Sequence, residues 1–208
     1  MPAPAVDALL FDLGNVLVEI DFERVFAAWA VSAGLPVEKV RERFEFDAVH
    51  RAFEVGRIDA AGFFEHVRGL LRVPLPDESL AAGWNAVFVG EVAAMAALIR
   101  SVAGRVPFYV LSNTNPVHHD HWRARFASIL QPFDAVFVSC ELGERKPERA
   151  AYDAVLARIG ADPKRVVFFD DLAENAAGAR SLGMPSFVVG GAADVRAALA
   201  TLGLVDGR

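Results

Sequence analysis

The chain has 208 residues, 54% of them hydrophobic, enough apolar matter to bury the core of one ordinary domain with room for an insertion. A formal charge of −6, from 21 basic and 27 acidic residues without long blocks of either sign, leaves no basic stripe for nucleic-acid phosphates, so no nucleic-acid partner is expected. No apolar run approaches the roughly 20 residues that span a bilayer, and residues 1–7 lack the basic start of a secretory signal, so a cytoplasmic protein with no membrane partner is expected.

Taken from the N-terminus, residues 6–11 form a short apolar run that predicts a buried parallel strand. About 70 residues follow, from 21 to roughly 88, that read as helix after helix without a convincing strand. Their amphipathic pieces cover 22–33, 38–46 and 60–71, punctuated by Gly34-Leu35-Pro36, Gly56 and Pro74-Leu75-Pro76. From residue 90 onward, apolar runs at 106–112, 134–139, 166–169 and 186–189 alternate with helical patterns. One of these, 147–159, has proline at its start and Gly160 just past its end. Gly190-Gly191 reads as a turn. The alternation predicts an α/β fold, a doubly wound parallel sheet formed by residues 1–17 and 89–208, with a small helical cap inserted at 18–88.

In such a sheet, ligands bind beyond the carboxyl ends of the strands. There the first strand delivers Asp12, the second Ser112-Asn113-Thr114-Asn115, the loop after the third Lys146, and the fourth Asp170-Asp171. Three acids gathered this closely repel one another unless a cation lies between them. The lone cysteine, Cys140, and the absence of zinc-like His or Cys spacing leave oxygen ligation, which suits Mg²⁺. Lysine and the Ser-Asn donors would then bind phosphate. A carboxylate nucleophile, a metal and donors for the equatorial oxygens are what phosphoryl transfer requires.

The segments Phe-Asp-Leu-Gly-Asn-Val-Leu, Leu-Ser-Asn-Thr-Asn, Arg-Lys-Pro-Glu and Phe-Phe-Asp-Asp, in that order, resemble the four motifs of the haloacid dehalogenase-like hydrolases. The resemblance runs from residue 9 to about 189 and looks closest to the bacterial alpha-D-glucose-1-phosphate phosphatases. It implies a Rossmann-like core and a Mg²⁺-dependent phosphatase acting on small phosphorylated substrates, sugar phosphates among them. By the same resemblance Asp12 is nucleophile and metal ligand, the Gly14 carbonyl and Asp171 are further ligands, and Asp170 supports the metal through water. Ser112 and Asn113 bind the transferring group, Lys146 bridges it to Asp12, and Asn175 steadies the site.

One departure stands out. Most phosphatases of this kind carry a second Asp two residues after the nucleophile, as general acid and base, where this chain has Gly14. The glucose-1-phosphatase-like subgroup resembles the chain in its Asp-Leu-Gly-Asn arrangement. His118-His119-Asp120-His121 reads as a solvated surface segment, because consecutive side chains point in different directions. His50 and His66 fall in the cap, either as structural residues or as groups reaching the substrate, and Cys140 has no assigned role. Three rivals remain: a receiver domain, disfavoured by the order of its acids and its lack of a cap; a dehalogenase, disfavoured by Gly14 and the acidic pair; and a silent binding protein that keeps the pocket without turnover. The oligomeric state is open.

Overall fold

The computed structural model describes residues 6–206; residues 1–5 of the N-terminal segment considered above lie outside the described residues. The chain runs β1 (Ala8–Phe11), β2 (Val18–Ile20), then five helices, α1 (Phe22–Ala33), α2 (Val37–Arg43), α3 (Ala48–Glu54), α4 (Ala60–Leu71) and α5 (Asp77–Asn85), to β3 (Phe88–Glu91). It continues through α6 (Ala93–Val102), β4 (Phe108–Ser112), α7 (Pro116–Arg125), α8 (Ala127–Leu130), β5 (Ala135–Val138), α9 (Ser139–Leu142) and α10 (Arg149–Ile159). The last elements are β6 (Val166–Asp170), α11 (Ala173–Ser181), β7 (Ser186–Val188) and α12 (Ala192–Thr201).

Five strands form one parallel sheet in the order β5-β4-β1-β6-β7, the doubly wound arrangement expected from the alternating pattern. Alternation along each strand feeds two cores. Leu9, Phe11, Phe108, Val110, Val167 and Phe169 face a core closed by Leu98 and Ile99 of α6 and Leu199 of α12. Leu10, Leu111, Val166 and Phe168 face another, closed by Tyr152 and Val155 of α10 and Ala179 of α11. Because β4 and β6 flank β1 in register, Leu9 opposite Phe108 and Val167, the three strands end side by side and release Asp12, Asn113 and Asp171 at one edge.

The five helices between β2 and β3 carry the ring-rich part of the first core. Trp84 lies between Trp29, stacked at 5.6 Å, and His118, stacked at 4.5 Å. Side-chain caps explain several boundaries: Asp21 accepts from Glu23 N, Asp59 from Gly62 N, and Asn115 from His118 N. Gly56, at φ +68°, ends the turn after α3; a side chain there would also overlap the carbonyl of Cys140, so this turn packs directly on α9.

Three features differ from the sequence reading. β2 and β3 form a separate antiparallel ribbon, with Val18 opposite Glu91, and runs of three and four residues, one containing Gly90, are too short to carry a period. The helix expected at 38–46 stops at Arg43 because Phe44 turns extended (ψ 135°) to pack between Phe26 and Trp29, and Asp47 then caps a separate helix, α3, accepting from Val49 N and His50 N. The segment 118–121, expected as solvated surface, lies in α7, where Asp120 is exposed but His118 is buried against Trp84 and Phe88. Among the described residues no helix is long and apolar enough to cross a membrane.

Candidate active site

Asp12 is the first residue past β1 and is nearly buried. Its Oδ1 accepts from Leu13 N at 2.7 Å and lies 2.7 Å from Lys146 Nζ, so among the described residues Oδ2 is the carboxylate atom without a protein donor. Beneath it, fully buried Asp170 is saturated. Its Oδ1 accepts from Leu172 N and Asn175 Nδ2, at 2.8 and 3.0 Å, and its Oδ2 from Lys146 Nζ and Asn175 Nδ2, at 2.7 and 3.1 Å. Asp171, half-buried, is held by Asn15, whose Nδ2 donates to Oδ2 at 3.1 Å while its Oδ1 accepts from Ile20 N. The turn that presents Asn15 bends back so that Asn15 N donates to Val18 O, with Asn15 itself at φ 54°, a conformation asparagine tolerates.

Lys146 owes its position to Asn113. The Asn113 amide donates to Lys146 O at 2.8 Å and accepts from Lys146 N at 2.9 Å, a two-bond clamp between the end of β4 and the loop before α10. Thr114 N donates to Ser139 Oγ, and that hydroxyl faces both the Thr114 carbonyl and the Glu54 carbonyl. The β4 loop and the end of α3 are thereby tied through one buried serine. Tyr152 steadies Asn175 by donating to its carbonyl at 2.7 Å.

The electrostatics follow from crowding. Ligand oxygens of Asp12, Asp170 and Asp171 all lie within 4.8 Å of one another. Three carboxylates against one ammonium leave a formal surplus of two negative charges, which a divalent, oxygen-preferring cation such as Mg²⁺ neutralises. Burial pushes the Asp12 carboxyl up to about 7; Lys146 opposes that rise, and Asp170 and Asp171 add to it. Burial also raises Asp171, against the Asn15 hydrogen bond. Burial works against the Lys146 ammonium too, but Asp12 and Asp170 outweigh it and hold Lys146 charged.

Above these groups lies a cavity of about 530 Å³. Its floor includes Asp12, Gly14, Ser112, Asn113, Lys146, Asp171 and Asn175, and its roof includes Phe22, Phe46, His50, Glu54 and Trp84. The candidates from the sequence thus converge, with two refinements: Asp170 sits behind the cavity wall, and the Asn113 side chain is committed to Lys146. His50 lines the cavity and burial lowers its pKa to about 4, so it is neutral; His66 instead pairs with Asp47 at 2.8 Å. Sequence reasoning missed Asn15, Glu54 and Arg145. Asn15 and Arg145 fall inside motifs already noted, next to residues that carried the argument, whereas nothing in the local pattern marks Glu54 as facing a cavity.

A doubly wound sheet with an acidic cluster at its strand ends and helices roofing it defines a capped α/β enzyme. The chain belongs to the haloacid dehalogenase-like hydrolases, whose family model matches residues 6–183. It is similar to D-ribitol-5-phosphate phosphatase of Bacteroides thetaiotaomicron, 25% identical over 93% of this chain and 97% of that protein. Phosphatase MT3486 of Mycobacterium tuberculosis is also 25% identical, over 89% of this chain and 88% of its own. A solved wild-type HAD family enzyme of Bacteroides thetaiotaomicron, in complex with magnesium and inorganic phosphate, superposes with a TM-score of 0.76 at 27% identity, covering 88% of this chain and 93% of that one. The L-2-haloacid dehalogenase of Xanthobacter autotrophicus, at 20% identity and a TM-score of 0.66 over 87% of this chain and 76% of its own, shares the fold.

Proposed function

We propose that the protein is a Mg²⁺-dependent phosphatase of small phosphate monoesters, sugar phosphates such as glucose 1-phosphate among them, acting through an aspartyl phosphate on Asp12. The observation that carries this reading is the cluster of Asp12, Asp170 and Asp171 around Lys146. Similarity to phosphatases, and to an enzyme crystallised with magnesium and phosphate, supports it.

In this reading Asp12 Oδ2 attacks phosphorus, the ester oxygen leaves with its electron pair, and water then cleaves the acyl phosphate to return Asp12 and release inorganic phosphate. No base is needed to activate an ionised carboxylate. Lys146, 2.7 Å from Asp12, offers its charge to the transferring group, and the Ser112 hydroxyl and the main chain of Asn113 offer donors. Asp12, the Gly14 carbonyl and Asp171 would hold Mg²⁺, while Asp170, whose oxygens already accept from Leu172 N, Asn175 Nδ2 and Lys146 Nζ, would act on it through charge rather than through a water. When bound, the ion lowers the repulsion between carboxylates and phosphate. Asn175 fixes Asp170, and the helical cap, residues 18–88, keeps water from the site.

Phosphate release from glucose 1-phosphate, glucose 6-phosphate and p-nitrophenyl phosphate, with Mg²⁺ and with a chelator, tests the reading. Release that needs the metal, with glucose 1-phosphate ahead of glucose 6-phosphate, is the expected result. No metal-dependent release from any of the three would overturn it.

A further inference from the structure

Two apolar side chains that line the cavity stay open to solvent. Phe46, between α2 and α3, and Leu172, the residue after Asp171, are 49% and 48% exposed. They are two of the four large hydrophobic residues exposed among the described residues; the other two, Val31 and Val188, do not line the cavity. A single exposed apolar residue needs no explanation, but two bordering one cavity mark a surface that a ligand covers.

Neither residue is loose. The Phe46 ring stands edge to face on Phe22, Phe44 and His50, with centroids 4.9, 5.2 and 5.0 Å away. Leu172 is held through its backbone, whose N–H donates to Asp170 Oδ1 at 2.8 Å, so it stands fixed beside the acidic cluster. Surfaces fixed in advance lose little freedom when a ligand covers them. The roof that Phe46 borders also offers few free polar atoms. Glu54 and Arg145 pair with each other at 2.9 Å, Trp84 Nε1 is closed off in the interior, and Phe22 and Phe88 add rings to the lining. Arg51 brings an exposed charge to the same lining.

We infer that Phe46 and Leu172 determine specificity by covering an apolar portion of the leaving group, which extends the substrate class to phosphate monoesters that carry a hydrocarbon or aryl group. This rests on the phosphatase reading, and sugar phosphates would meet the pair only through their C–H faces. Competitive inhibition of p-nitrophenyl phosphate hydrolysis by n-alkylphosphonates, from ethyl to hexyl under saturating Mg²⁺, measures the effect without altering the chemistry of the ester. In the wild type the inhibition constant should fall about two- to fourfold per added methylene. Phe46→Ser and Leu172→Ser should each shrink that step, and the double variant should bring it below about 1.5-fold. Each variant is referred to its own ethylphosphonate value, so a general weakening of the site cancels. A flat series in the wild type, or variants that keep the full step, would overturn the inference. Tighter inhibition by 4-phosphonobutanoate than by n-butylphosphonate would overturn it too, giving this part of the cavity to Arg51. If the wild type does not hydrolyse p-nitrophenyl phosphate at all, the phosphatase reading itself fails and takes this inference with it.

Discussion

The floor and the roof of the cavity are built by different physics. On the floor, the side chains of Asp170 and Asn113 and the Asn15 amide are each tied by two or more hydrogen bonds, and the strands that deliver them are locked in register. In the roof, Phe22, Phe46, His50 and Trp84 are held by ring packing, and among the described residues the Trp84 Nε1 donor has no hydrogen-bond partner. A geometry fixed by backbone register suits a reaction whose atoms must be placed to within a fraction of an ångström. A geometry fixed by packing can be re-cut around a new leaving group without disturbing the chemistry below. On the proposed function, reaction would belong to the floor and selectivity to the roof, and that separation can be tested.

The sharpest test on the floor is Asp12→Asn. It removes the nucleophile and one charged metal ligand while keeping side-chain shape, so turnover of every ester should fall by more than about 10³-fold with circular dichroism unchanged. Retention of more than a few per cent of activity sinks the assignment. Asp171→Asn acts on the same wall but through the metal. Apparent Mg²⁺ affinity should drop about 10- to 100-fold, and part of the lost rate should return with excess Mg²⁺; if titrating the metal recovers nothing, Asp171 is not a ligand.

A milder test addresses the seam between floor and roof, where His118 rests on Trp84 and its Nε2 faces the Trp84 carbonyl at 3.0 Å. Burial lowers the His118 pKa to about 3, with the Trp84 carbonyl opposing. The folded value lies below the unfolded one, so the unfolded chain binds the proton first and stability, full above about pH 6.5, is lost as pH falls toward the folded value. Between pH 7 and 5 the loss from this residue should be roughly 2 kcal/mol. Urea midpoints of wild type and His118→Phe at the two pH values measure it. The variant should show the shallower pH dependence, and equal slopes would mean that His118 is not held neutral.

The floor was legible in the sequence and the roof was not, and the reason lies in how each is encoded. Asp12, Ser112 and Asp170-Asp171 end apolar runs whose strand character is local, so their convergence follows from the topology of a parallel sheet. The bounds of α1 and α4 were legible too, from 3.6-residue periodicity and the Gly and Pro residues that punctuate it. The orientation of α3 over the site, by contrast, depends on Gly56 meeting Cys140 and on Ser139 meeting Glu54, contacts between residues about 85 positions apart. No local pattern announces those. The burial of His118 was hidden for the same reason: its partner, Trp84, sits 34 residues away.

Gly14 offers the finest test, because it lies where floor meets roof and where a general acid is missing. Such help is typically worth about 10² to 10⁴ in rate, and its absence matters in proportion to how much the departing oxygen needs a proton. An anomeric oxygen is acidic enough to leave with little help, whereas a primary alkoxide is not, so the wild type should favour glucose 1-phosphate over glucose 6-phosphate. Gly14→Asp restores the acid in principle. A Cβ there would come within 3.1 Å of Ile20 Cδ1, the far end of a flexible side chain, so the companion change Ile20→Val, which removes that methyl, makes room without touching the β2 backbone. An acid placed on a turn not shaped for it should recover only a small part of the full effect. In the double variant, kcat/KM for glucose 6-phosphate should rise about three- to tenfold under saturating Mg²⁺ while that for glucose 1-phosphate changes less. Ile20→Val alone controls for altered packing. If the wild type already hydrolyses both esters alike, another group or a water molecule delivers the proton, and the roof contributes to chemistry as well as to selection.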